Sequence, residues 1–102
     1  MQIKFRPLNK AAKIVELLGY SISYSYDDLI FLDNTALLLQ FDDTVENGLI
    51  YHFNKDATTE FITDFENKIQ SICNKNGMTV IKGRKFQIIQ KIDKEEIDLL
   101  FI

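Results

Sequence analysis

The spacing of apolar side chains changes period several times along this chain, and each change marks an element. Residues 2–6 alternate, with Ile3 and Phe5 on one face and Lys4 and Arg6 on the other. That predicts a short strand ended by Pro7, which has no N–H to give a ladder. Ala11, Ile14, Val15 and Leu18 then recur at helical spacing, predicting a helix over 10–18 with Asn9 as N-cap. Gly19 stands where a left-handed C-cap residue belongs.

Residues 20–26 alternate again. Tyr20, Ile22, Tyr24 and Tyr26 fall on one side, and Ser21, Ser23 and Ser25 on the other. This predicts a half-buried strand with a partly solvated face. Turns at Asp27–Asp28 and at Asp33 with Asn34 bracket a strand over 29–32. A third strand follows over 35–41. The polar loop 42–48 is closed by Asn47 and Gly48, a strong turn signal. A fourth strand spans 49–54. Asp56 then offers an N-cap for a long helix over 57–75, whose stripe is Phe61, Ile62, Phe65, Ile69, Ile72 and Cys73. Gly77 stops it. Residues 78–82 and 85–91 predict a hairpin around Gly83 and Arg84. Asp93 with Glu96 fits a capping box for a short last helix, with a terminal strand as the alternative.

The predicted fold class is α+β, in the order (β)αββββαββα. It is a mainly antiparallel sheet of about five to seven strands with helices packed on one face. Residues 1–102 form a single domain, since 102 residues suit one core and no linker or repeat interrupts them. The longest apolar runs are too short to span a bilayer. The opening MQIKFRPLNK has no apolar stretch of the signal-peptide kind. A single cysteine, Cys73, allows no internal disulfide. These features point to a cytoplasmic protein. The abundance of Ile, Asn and Lys suits an AT-rich, bacterial genome.

Charge adds something the apolar pattern does not. The net charge is −3, but residues 27–66 carry ten acids against Lys55, while residues 67–94 carry seven bases against Asp93. Asp27, Asp28, Asp33, Asp42, Asp43 and Glu46 lie in the turns of the predicted meander. They make a candidate surface for a basic protein. The plainer explanation is that Asp favours turns, with the neighbouring basic hairpin cancelling the acids on folding. The basic stretch 82–85 offers a phosphate contact, yet it has no aromatic platform and the pI is about 5.0, so nucleic acid is not an expected partner.

Motifs for chemistry are missing. His52 and Cys73 are the only histidine and cysteine, so no His/Cys metal set exists. The 42–46 acids lack the alternating spacing and central glycine of a calcium loop. Ser21, Ser23, Ser25 and Ser71 stand in no nucleophile-elbow pattern. Adjacent carboxylates on a strand point to opposite faces and so build no acid/base pair. Neither catalysis nor a cofactor is expected.

The chain end, Leu99, Leu100, Phe101 and Ile102, is apolar and must be covered by its own core or by a second subunit, making a homodimer a further expectation. The order α-β-β-β-α-β-β-α in a small acidic chain resembles that of the small secretion chaperones. That resemblance implies a dimer holding extended segments of exported proteins; this chain is shorter and has a fourth strand before its long helix. The expected function is a non-catalytic protein-binding domain, immunity-protein-like or secretion-chaperone-like, recognising a basic protein. The alternatives are a small-molecule binder or enzyme with a pocket between sheet and helix, and nucleic-acid binding through 82–85.

Overall fold

The computed structural model describes residues 7–26, 28–32, 36–90 and 97–102. The expected strand at 2–6, the acids Asp27 and Asp33 and the capping box at Asp93 and Glu96 lie outside the described residues.

Helix α1 (Leu8–Leu18) turns Ala11, Ile14, Val15 and Leu18 inward. Its N-cap is Pro7 rather than Asn9. The carbonyl of Pro7 accepts the first helical bond, from Ala11 N–H at 3.0 Å, and the ring presets φ at −78°. Asn9 is thereby already inside the first turn. Gly19 ends the helix at φ 83°. Its N–H donates to Glu16 O, and Tyr20 N–H donates to Val15 O.

Four antiparallel strands follow: β1 (Ile22–Tyr26), β2 (Leu29–Leu32), β3 (Leu37–Asp42) and β4 (Gly48–Phe53). The register shifts between Ile22 and Tyr24. Ile22 stands across from Leu32, but Tyr24 stands across from Phe31, so the alternation read over 20–26 changes phase at Ser23. The β3–β4 loop closes with Asn47 at φ 54°, a conformation asparagine tolerates better than most side chains.

Helix α2 (Thr59–Lys75) carries the chain back to the start of β4, where β5 (Thr79–Lys82) pairs parallel to it. The sheet is therefore mixed, in the order β1-β2-β3-β4-β5. The cap of α2 is Thr58, whose hydroxyl accepts from Phe61 N–H at 3.1 Å. Asp56 is not the cap, because its own N–H is held by the Asn54 side chain at 2.9 Å in the turn leaving β4.

The last two strands, β6 (Phe86–Gln90) and β7 (Ile97–Phe101), form a separate two-stranded sheet. Two expectations are corrected here. Residues 78–82 and 85–91 do not pair with each other: Gly83 N–H donates to Tyr51 O at 2.7 Å, which extends the β4–β5 pairing instead of turning it back. Residues 97–101 form the terminal strand held as the alternative, in place of a helix, since pairing with β6 turns Leu99 and Phe101 toward the core and leaves Leu100 exposed.

Both helices lie on one face of the five-stranded sheet, over Ile30, Leu32, Leu37, Leu39, Phe41, Leu49, Tyr51 and Phe53. Phe65 anchors this layer, fully buried between the rings of Tyr51 at 5.0 Å and Phe53 at 5.5 Å. The opposite face, expected to be partly solvated, is covered in part by the β6–β7 hairpin over Phe31 and Leu38. Among the described residues the helix-side cluster holds seventeen buried side chains and the hairpin-side cluster three, so the hairpin is much the more lightly held layer.

Candidate functional site

The meander brings two of its turns to the same end of the sheet. Leu29 stands across from Gln40, and Asp42 across from Gly48. Asp28 therefore sits beside the 43–47 loop, and its carbonyl accepts from Phe41 N–H at 2.9 Å. The acids at this end divide by their work. The Asp28 carboxylate accepts from the Gln40 amide at 2.9 Å. Asp42 Oδ1 accepts from Thr44 N–H at 3.0 Å and from its hydroxyl at 2.6 Å, holding the loop in shape. Asp43 and Glu46 are exposed on either side of Val45, which is 44% exposed.

The basic stretch lies elsewhere. Lys82 stands across from Tyr51, and Arg84 lies against His52, both toward the other end of β4 from Gly48. Lys82 pairs with Glu66 at 3.5 Å, and Arg84 Nε donates to Ile102 O at 3.4 Å. Among the described residues, then, the base-rich stretch is not folded onto the 42–48 loop. Glu66 also accepts the Tyr51 hydroxyl at 2.9 Å, and burial together with this carboxylate pushes the phenol up to about 12.

Of the expected chain-end interface, Leu99 and Phe101 pack into the hairpin-side cluster. Leu100 and Ile102 are 49% and 60% exposed, beside Ile89 at 42%. The four residues thus split by strand parity.

Chemistry-bearing residues are placed as structural parts. His52 is buried, with Nδ1 against Arg84 N–H at 3.0 Å and Nε2 against Gln40 Oε1 at 3.1 Å. Both ring nitrogens are engaged, so neither is free to take a serine's proton. Cys73 is buried in the helix-side cluster, and desolvation pushes its thiol up to about 11. No group of three or more His, Cys, Asp or Glu among the described residues is disposed to hold a metal ion. No helix among the described residues is long and apolar enough to cross a membrane. An open depression of about 400 Å³ lies on the outer side of α2, lined by Thr59, Glu60, Thr63, Asp64 and Asn67. Asp64 there is held ionised by Lys68 at 3.0 Å and by the Tyr20 hydroxyl at 3.1 Å. The space between α2 and the sheet is filled by Phe65, Ile69 and Cys73.

Sequence reasoning missed the polar row Asp28, Gln40, His52 and Arg84. Its members come from four separated stretches of chain, and their separations of 12, 12 and 32 residues match no known motif. No protein-family model matches this chain, and no curated protein or solved structure is similar to it.

Proposed function

We propose that this chain is a non-catalytic protein-binding domain that meets a basic partner protein at its acidic end. The observation that carries this reading is the Asp28 carbonyl accepting from Phe41 N–H, which draws acids from two separate turns onto one end of the sheet. The 82–85 bases lie toward the other end of β4, so they do not cancel the 42–48 acids, which are left to attract a basic partner. Val45 adds an exposed apolar contact amid the acids. Neutralising a basic toxin, as immunity proteins do, or escorting a secreted protein, as secretion chaperones do, are two forms of this role. Asp43 and Glu46, both exposed at this end, are the contacting acids.

The test captures partners from lysate at low and high salt with the native chain and with Asp43→Lys combined with Glu46→Lys. A basic protein retained by the native chain, released by salt and lost from the variant is expected. Equal retention of that protein by both chains would refute the assignment. A second reading, a homodimer through the chain end, is favoured by Ile89, Leu100 and Ile102 exposed on the outer side of the hairpin. Sedimentation of the native chain beside Leu100→Ser checks it.

A further inference from the structure

His52 stands where the sheet, the 83–85 crossing and the hairpin meet. It projects from β4 toward the hairpin side, and its ring lies 4.8 Å from that of Phe101 on β7. Nδ1 is 3.0 Å from Arg84 N–H, and only a nitrogen without a proton can accept that bond. The proton is then on Nε2, which donates to Gln40 Oε1 at 3.1 Å. Gln40 in turn donates through Nε2 to the Asp28 carboxylate at 2.9 Å. Every donor in this row meets an acceptor, and the row assigns one state of the ring: neutral, protonated on Nε2.

A second proton breaks this pairing. Placed on Nδ1, it would face Arg84 N–H, and that part-buried donor would lose this acceptor. The Arg84 carbonyl, 3.2 Å from Nδ1, would accept that proton, so protonation exchanges the bond that holds Arg84 N–H for one to its carbonyl. Gly83 packs so closely on the ring that a single Cβ there would overlap Nδ1 and Cε1, so the ring itself has little room to turn.

We propose that His52 is an acid-released latch: neutral, it clasps the 83–85 crossing and with it the β6–β7 hairpin, and protonated, it lets the hairpin leave the sheet and uncover Phe31 and Leu38. The hairpin is the layer with the least to lose, since Phe31, Leu38 and Phe86 are its buried cluster among the described residues. Burial lowers the affinity of the ring for its proton below the ordinary 6.5, and the Arg84 carbonyl opposes this in part. The charged groups disposed around the ring agree. Asp28 reaches it only through Gln40, Lys82 is paired with Glu66 at 3.5 Å, Arg84 turns its guanidinium to Ile102 O, and Lys85 is exposed. With the closed-state affinity depressed, the latch holds fully above about pH 6.5 and weakens as pH falls through the closed-state midpoint.

As His52 is the only histidine, its ring signals in NMR report the midpoint directly. Amide exchange, corrected for intrinsic rates, is followed from about pH 7.5 to about pH 5. Exchange of the Phe86–Gln90 and Ile97–Phe101 amides should accelerate below about pH 6.5, by up to about tenfold for each unit that the closed-state midpoint lies below it, while β3 and β4 amides keep their protection. His52→Gln removes the titration, and the acceleration should vanish with it. Hairpin protection that is constant through the His52 midpoint would overturn the proposal. So would loss of protection in β3, β4 and the hairpin together. These wild-type readouts decide the matter even if the variant does not fold.

Discussion

Replacing Gly83 by alanine tests how the hairpin layer is fastened. The added Cβ would lie 2.8 Å from Ile50 Cγ2 and overlap the His52 ring. Carbon atoms settle at about 3.5–4.0 Å, so something must move. The neighbour on one side is a strand of the central sheet, and the ring is held at both nitrogens. Overpacking of this kind costs about 1–3 kcal/mol. Displacing the ring also removes the acceptor of Arg84 N–H, worth about 1 kcal/mol net. The variant should therefore lose about 2–4 kcal/mol. Urea unfolding followed by far-ultraviolet circular dichroism reads this as a midpoint lower by about 0.7–4 M, at slopes of about 1–3 kcal/mol per M. The decisive comparison is the same substitution in a His52→Ala background. There the ring is gone and only the Ile50 methyl crowds the new Cβ, so Gly83→Ala should cost clearly less than in the native background, a coupling that only neighbouring side chains show. Gly19→Ala is the control. Its cost comes from φ 83° in open space, and it should be equal in both backgrounds. A Gly83→Ala protein within about 0.5 kcal/mol of the native one, or equally destabilised with and without His52, would refute the reasoning.

Two other outcomes are expected. Cys73 should resist a thiol reagent at neutral pH until urea unfolds the chain, because the thiol is buried and pushed up to about 11; prompt labelling of the native protein would contradict its placement. Thr58→Ala should cost about 1 kcal/mol by leaving Phe61 N–H uncapped, whereas Asp56→Ala should change the urea midpoint far less.

What could be read from the chain was what neighbours in sequence decide among themselves. The stripe of α1 and its Gly19 stop, the meander strands and the Asn47–Gly48 closure all rest on interactions within a few residues. The failures lie where distant backbone intervenes. Asp56 looks as good a cap as Thr58 until Asn54 engages its N–H. The stretch around Gly83 looks like a hairpin until Tyr51 O, thirty-two residues earlier, accepts its N–H. The tyrosine alternation looks continuous until the register shifts between Ile22 and Tyr24. The acids at the candidate partner surface were legible one by one. Their gathering at one end, and the split between turn-shaping Asp28 and Asp42 and exposed Asp43 and Glu46, needed the register.

The order of the layers along the chain also sets the order in which a ribosome delivers them. Everything needed to close the helix side of the sheet, from α1 through β5, is synthesised before the residues that cover Phe31 and Leu38. While Phe86–Phe101 is still being made, a nascent chain folded that far has one side sealed and the other bare. Unshielded apolar sheet surface of this kind is what draws aggregation and holding factors during translation. A stalled or truncated product lacking the hairpin would carry that surface permanently, which makes it a natural substrate for quality-control proteases.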